Sequence, residues 1–546
     1  MRIFEYDADS DRMSIFEEKK FFSMVCYLQE KFKREYCVRA GSIVAVYLPT
    51  SAFTNAVVLA LYRMGAVVSN LFSSYGDQAL KNRLELLNPD YIVSWRSIGF
   101  KLKNVREIKV ESLLSSDIPI VSGEDAVMTS PSDTSYSSDV AFIHFTSGTT
   151  GMPKMVPHST KDLDGLKMSI EKVFNIKAGT NYLCTADFGW VTGFYYGIFM
   201  PIISDLNFFI VKNMNGFRLM KALSKFREWD IQVIYTSPSF LNIAYRFFKK
   251  YETNIKEVYT VGEKLAVQTK KKYLELGYEI TDTWWQTELG CISVSGRVKS
   301  VTAVPKGKLV PKGTLVPKGT LVPSDYIGKP LDFVDIALLN DDNIVPVNSI
   351  LRMPNAELTG ELLVNRRTHP SIMKEYYKAD ENARKKFIGD YYKTGDLVRI
   401  IPEAKDSQEY NIQYVSRADD IIVIAGELIS PDEIESLVMK KFGSINECCA
   451  VSADRSYLKD MPYPSDGEHP ADKKIVLFIS SDEKSLSDGS CASESLEAQI
   501  KKVVAENLMP SMIPYKVVKI EVLPKTESGK IKRNELRRIA HGLIQE

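Results

Sequence analysis

Between Phe145 and Lys154 the chain reads FTSGTTGMPK, which sets three threonines, a serine and two glycines beside one lysine. Hydroxyls, closely approaching backbone N–H groups and a cation are what an anionic oxygen needs, so the stretch reads as a phosphate-holding loop. It is not the P-loop G-x-x-x-x-G-K-[ST]. Gly148 and Gly151 stand three apart, and Lys154 comes three residues after Gly151 with Pro153 before it. A plain Gly/Ser/Thr turn is the competing reading. Three further stretches carry charged residues beside Gly, Thr or Trp: DTWWQTELG (282–290), YYKTGDLV (391–398) and LPKTESGKIKR (523–533).

The elements that must position these stretches follow from patterning. SIVAVYLP (42–49), VAFIHFTS (140–147), FFIVK (208–212), VIYTSP (233–238) and part of NIKEVYTVG (254–262) read as short apolar strands, and NAVVLALYRMGA (55–66) as a helix. Strands alternating with helices predict parallel sheets covered by helices, with ligands at the strands' C-terminal ends. The glycine loop follows such a strand. After the polar stretch 402–420 a fresh pattern begins: DDIIVIAG (419–426) and KKIVLFIS (473–480) as strands, with SPDEIESLVMKKF (430–442) as a helix. Ser430 stands at its N-cap and Glu433 at the capping-box position. The expected architecture is α/β: a large domain of parallel-rich sheets over 1–415, a hinge over 416–420, and a smaller α+β domain over 421–546. VPKGKL, VPKGTL and VPKGTL in tandem within 304–324 are too few and too rich in Pro and Gly for a solenoid, and read as a duplicated surface loop. Residues 481–494 read as a polar loop.

Bulk composition narrows the function classes. At 546 residues the chain exceeds one ordinary core. A net charge of +1 gives no electrostatic case for nucleic acid or an anionic membrane. Seven scattered cysteines without C-x-x-C read as reduced thiols of a cytoplasmic protein, a nuclear pool being compatible. The five histidines do not pair at metal-ligand spacing. The N-terminus lacks the apolar core of a signal peptide. The uncharged runs 41–62 and 188–204 are interrupted by proline with polar residues or glycine, so both are expected in the core and not across a membrane.

Taken in order, the four stretches resemble the adenylate-forming superfamily of acyl-CoA synthetases, luciferases and peptide-synthetase adenylation domains, from about residue 40 to the end. The resemblance implies joining a carboxylate to AMP, release of pyrophosphate, and acyl transfer to a thiol, with ATP, Mg²⁺ and coenzyme A as cofactor and co-substrates. By it, Thr146, Ser147, Gly148, Thr149, Thr150, Gly151 and Lys154 hold ATP phosphates, and Glu288 holds Mg²⁺. Gly262, Glu263, Lys264, Asp282, Thr283, Trp284, Gln286, Thr287, Asp396 and Arg417 border adenine and ribose. Lys530 matches the catalytic lysine that bridges carboxylate and ribose oxygens, Asp419 the hinge aspartate, and Gly426 the glycine that leaves room for pantetheine. A domain rotation then exchanges adenylation for thioester formation. Lysine acylation and deacylation enzymes acting on Lys530 are implied in the same way.

Within the superfamily, TADFGWVTGFYYG (185–197), YTVGEKL (259–265) and the double tryptophan are most similar to acetyl-CoA synthetase. That match places Val191, Thr192, Val261 and Trp285 in the acyl pocket, where the indole would limit chain length, giving acetate first and propionate second. The departures are a shortened N-terminus, by roughly the first 100 residues, about one domain length. Lys264 stands where the family has proline, and Leu428 where an arginine is expected. Arg96 is the remaining candidate for a CoA phosphate. The alternatives are a medium-chain acyl-CoA synthetase, a non-catalytic homologue that binds ATP or acyl-AMP, and a domain that loads a separate carrier protein.

Overall fold

The computed structural model describes residues 1–114, 139–146, 153–212, 216–298, 326–340, 342–352, 358–379, 384–403, 409–418, 420, 422–424, 427–453, 474–481, 495–508, 512–525 and 531–544. Ser147, Gly148, Thr149, Thr150, Gly151, Asp419, Gly426, Lys530 and the 304–324 repeat lie outside them. The chain forms two compact units: residues 1–337 with 363–394, and residues 338–362 with 395–546.

The strands of the first unit, in chain order, are Arg2–Asp7 (β1), Arg12–Glu17 (β2), Ile43–Tyr47 (β3), Val67–Asn70 (β4), Tyr91–Ser94 (β5), Arg106–Lys109 (β6), Phe142–Thr146 (β7), Lys154–His158 (β8), Asn181–Cys184 (β9), Asn207–Val211 (β10), Val233–Thr236 (β11), Glu257–Thr260 (β12), Glu279–Trp284 (β13), Val294–Val298 (β14) and Tyr326–Pro330 (β15). One sheet runs β6-β5-β3-β4-β7-β8 and another β2-β1-β10-β9-β11-β12-β13-β14-β15. Pairing is parallel except at the edges, where β8, β2, β14 and β15 turn back. The parallel-rich architecture is the one the apolar runs predict. Val44, Ala45, Val46 and Tyr47 are all buried, as a strand covered on both faces requires.

The uncharged run 41–62 becomes β3 and the helix Ala52–Arg63. Ser51 caps that helix by accepting from the Thr54 N–H at 3.1 Å. Ala56 to Tyr62 are buried on every side. Each fully buried Val or Leu there contributes about 1.5–3 kcal/mol relative to exposure. The run 188–204 becomes a buried π-helical segment, Gly193–Phe199, followed by Met200–Ile203. Gly193 is required at its start: a Cβ there would sit 2.1 Å from the Asp187 carbonyl oxygen. No described helix is long and apolar enough to cross a membrane. The N-terminal strand β1 pairs in parallel with β10, a sheet extension that the acidic opening residues do not advertise.

Later strands are Ile336–Asn340 (β16), Asn343–Pro346 (β17), Leu358–Asn365 (β18), Phe387–Ile388 (β19), Tyr391–Pro402 (β20), Tyr410–Arg417 (β21), Ile422–Ile424 (β22), Glu427–Ile429 (β23), Ile445–Ala453 (β24), Lys474–Ser481 (β25) and Lys516–Lys519 (β26). The second unit holds the order β17-β16-β18-β20-β21, the hairpin β22-β23 and the sheet β24-β25-β26. Ile434, Val438, Leu477, Ile500 and Val504 share its core, so the C-terminal part is α+β. Residues 338–362 and 395–415, assigned by sequence to the large domain, fall in this unit, where β20 and β21 pair antiparallel with a register shift between Leu397 and Val398. The helix Pro431–Lys441 starts at Ser430 as the pattern predicts, but no capping box forms. The Ser430 hydroxyl instead donates to the Val415 carbonyl at 3.2 Å.

Candidate active site

β7 and β8, which flank the glycine-loop stretch in sequence, form an antiparallel hairpin pair with Thr146 opposite Lys154. Lys154 Nζ lies 5.2 Å from the centre of the Tyr376 ring. The Tyr376 hydroxyl donates to Glu288 Oε1 at 2.9 Å. One buried phenol thus joins the cation of the hairpin to the carboxylate of DTWWQTELG. Nothing in the spacing of EYYK (375–378) singles Tyr376 out beforehand.

Glu288 sits on a tight turn, Thr287–Leu289, that ends at Gly290 with φ +74°. The backbone carbonyls around it are individually held. Thr287 O accepts from Gly290 N–H at 3.2 Å and Glu288 O from Met373 N–H at 2.9 Å. Leu289 O accepts from the Ser371 hydroxyl at 3.0 Å. Thr287 O also receives His158 Nε2 at 2.7 Å, and His158 Nδ1 faces Asp162 Oδ2 at 2.9 Å. The Gln286 amide is fixed as well, Nε2 donating to Thr394 O at 2.9 Å and Oε1 accepting from Tyr392 at 3.1 Å.

The adenine and acyl candidates lie at or beyond the C-terminal ends of parallel strands β9, β12 and β13. Val261 leaves β12 and is buried, its N–H bonded to Thr236 O at 3.1 Å. Gly262 follows at φ +93°, a backbone region that favours glycine, and the Glu263 carboxylate accepts from Ser239 at 2.6 Å. Lys264 is half-buried, as are Val191 and Thr192 at the entry to the π-helical segment. Asp282 is buried and faces inward: Oδ1 accepts from Thr260 at 2.9 Å and Oδ2 lies 3.4 Å from Lys270 Nζ. Burial raises its pKa, against the pull of Lys270. The Thr283 hydroxyl is bonded to Thr260 O and to Tyr235. Trp284 is half-buried. Trp285 is 8 % exposed, donates from Nε1 to the Tyr235 hydroxyl at 3.2 Å, and meets Tyr196 edge-on at 5.4 Å. Arg96 is engaged by Asp77 at 2.8 Å and Tyr47 at 3.1 Å.

In the second unit, Asp396 and Arg417 are cross-strand partners, Nη1 donating to Oδ1 at 2.8 Å. Asp396 is buried and follows Gly395 at φ +73°. Residues on either side of Lys530 are described: a bridge joins Lys525 to Ile531, and Arg533 is ion-paired to Asp420, Asp432 and Glu435.

Residues 34–377 match the family of AMP-binding enzymes. The chain belongs to that family. It is 25% identical over 545 residues to an acetyl-coenzyme A synthetase of Halorhodospira halophila, an alignment covering 92% of this chain and 76% of the relative. Its fold is similar to an anthranilate CoA ligase in complex with anthranoyl-AMP, with TM-score 0.75, 18% identity and 99% and 95% of the two chains covered. It is also similar to o-succinylbenzoate coenzyme A synthetase of Bacillus subtilis in complex with ATP and magnesium, with TM-score 0.72, 18% identity and 98% and 96% covered.

The donor set fits a magnesium ion that arrives with a nucleotide. Glu288 is a single half-buried carboxylate oriented by Tyr376, and the described residues hold no cluster of three His, Cys, Asp or Glu that would cage a metal alone. Mg²⁺ is bound in this way, through one or two carboxylates plus phosphates.

Proposed function

We propose that this chain is an ATP-dependent, AMP-forming acyl-CoA ligase acting on a short-chain carboxylate, acetate first and propionate second. The observation that carries the reading is the junction of Lys154 and Glu288 on Tyr376, beside the phosphate hairpin and at the strand ends where ligands bind. The chain length rests on Trp285, fixed by Tyr235 and Tyr196, and on relatives named acetyl-coenzyme A synthetase at 25–26% identity.

In this reading Lys154 and the hydroxyls of Thr146, Ser147, Thr149 and Thr150 hold the β- and γ-phosphates, with Gly148 and Gly151 allowing close backbone approach. Glu288 would hold Mg²⁺, which when bound offsets charge between the phosphates. Gly262–Lys264, Asp282–Trp284, Gln286 and Thr287 border adenine, Asp396 and Arg417 the ribose. The carboxylate oxygen bonds the α-phosphorus as the bond to pyrophosphate breaks, and Lys530 steadies the charge that develops. Rotation about Asp419 then admits the CoA thiol past Gly426. The sulfur bonds the acyl carbon, its proton is released, and AMP leaves. Acylation of Lys530 would remove the cation and stop the first half-reaction. Cys26, Cys37, Cys184, Cys291, Cys448 and Cys449 are reduced thiols, which favours a reducing, cytoplasmic setting.

Lys530→Ala tests the assignment. Pyrophosphate release from ATP and acetate should be lost, while CoA thioester formation from supplied acetyl-AMP largely survives. Survival of both half-reactions would contradict it.

A further inference from the structure

The turn that carries Glu288 is gripped by a histidine with no assigned role in the reaction. His158, the last residue of β8, is 1 % exposed and reaches Thr287 O with Nε2 at 2.7 Å. A carbonyl oxygen only accepts, so Nε2 carries a proton and donates. Asp162 sets the ring from the other side. Its Oδ2 lies 2.9 Å from Nδ1 and also accepts from the Ser159 N–H at 2.9 Å, while Oδ1 accepts from the Ser159 hydroxyl at 2.8 Å. The aspartate is therefore fixed by its own turn before it fixes the histidine. Thr287 O receives the Gly290 N–H as well, so both of its lone pairs are used.

Space enforces the same geometry. A Cβ at Gly290 would lie 2.9 Å from His158 Cε1 and 2.8 Å from Ser371 O. The imidazole and the turn are packed with no room for a side chain between them. β8 begins at Lys154 and ends at His158, so one five-residue strand carries the phosphate-side cation at one end and the grip on the Glu288 turn at the other.

We propose that His158, oriented by Asp162, is a positioning residue: its Nε2–H donation to Thr287 O holds the Glu288 turn in the register that lets the carboxylate accept a magnesium ion arriving with ATP. This rests on the reading of Glu288 as the magnesium carboxylate.

The test compares two substitutions of similar bulk. His158→Gln can place an amide N–H near the position of Nε2, whereas His158→Asn reaches only the Nδ1 side and leaves Thr287 O without that donor. The probe is a non-hydrolysable ATP analogue titrated into the full chain by calorimetry, in EDTA and in Mg²⁺. The wild type should bind more tightly with Mg²⁺, and that increment is the readout. His158→Gln should keep it. His158→Asn should lose roughly tenfold of it, the scale of one buried hydrogen bond, with EDTA binding unchanged within about twofold. Equal behaviour of the two variants, whether both keep the increment, both lose it or both fail to fold, overturns the role of His158. A wild type without any increment overturns the reading of Glu288 instead, and the positioning role with it.

Discussion

Replacing Tyr376 by Phe removes one oxygen and nothing else from the junction between Lys154 and Glu288. The lost bond is 2.9 Å long, from a buried phenol to a carboxylate. Hydrogen bonds to charged groups contribute about 1.5–3 kcal/mol. Glu288 is half-buried, so water replaces part of that and the lower end applies, about 1.5 kcal/mol or roughly tenfold. The ring itself remains beneath Lys154, 5.2 Å from Nζ, so the cation keeps its seat. Tyr376→Phe is therefore expected to raise the Mg²⁺ concentration for half-maximal ATP–pyrophosphate exchange roughly tenfold, with the KM for the carboxylate unchanged. The assay is isotope exchange over a Mg²⁺ series at saturating acid. An unchanged Mg²⁺ dependence would refute the claim that this hydroxyl orients Glu288. A rise in the carboxylate KM alone would move Tyr376 to the acyl side.

Other residues give independent tests. Trp285→Gly should shift the preferred acid to longer chains, each added methylene gaining about 0.8 kcal/mol, or roughly fourfold, until the opened space is filled; kcat/KM from acetate to octanoate reads this, and an unmoved optimum would show that the indole does not face the acid. Lys270→Met should destabilise the fold by about 3–5 kcal/mol, because it leaves Asp282 buried without its cation. Denaturant unfolding measures that loss, and Asp282→Asn in the same background should recover part of it. His369 accepts the Ser371 N–H on Nδ1 and faces the Ser293 hydroxyl with Nε2, and burial lowers its pKa from 6.5 to about 3. The folded state then binds fewer protons than the unfolded one below pH 6.5, so stability falls with falling pH through that window by about 1.4 kcal/mol per unit. His369→Gln should flatten the stability profile between pH 6.5 and 5 by about 2 kcal/mol, and an unaltered profile would contradict the neutral buried ring.

The strands that present the site are legible because buried parallel strands leave continuous apolar runs, as in residues 43–47 and 233–236. The helix at 431–441 is legible from Ser430 and Glu433, although the serine hydroxyl bonds β21 instead of the helix end and no capping box forms. Sequence spacing does not reveal Tyr376 or His158. Each acts across the fold on a turn more than 80 residues away, and such pairings leave no periodicity. The inward-facing Asp282 shows a similar limit: alternation along β13 places its side chain toward Thr260 and Lys270, a partner set that only the neighbouring strand and helix define.

The central claim is tested most directly by ATP–pyrophosphate exchange with Mg²⁺ against straight-chain acids from acetate to octanoate. Exchange that peaks at acetate or propionate is the predicted result. Exchange that peaks at longer acids would contradict the chain-length reading, and no exchange with any acid would contradict adenylation itself.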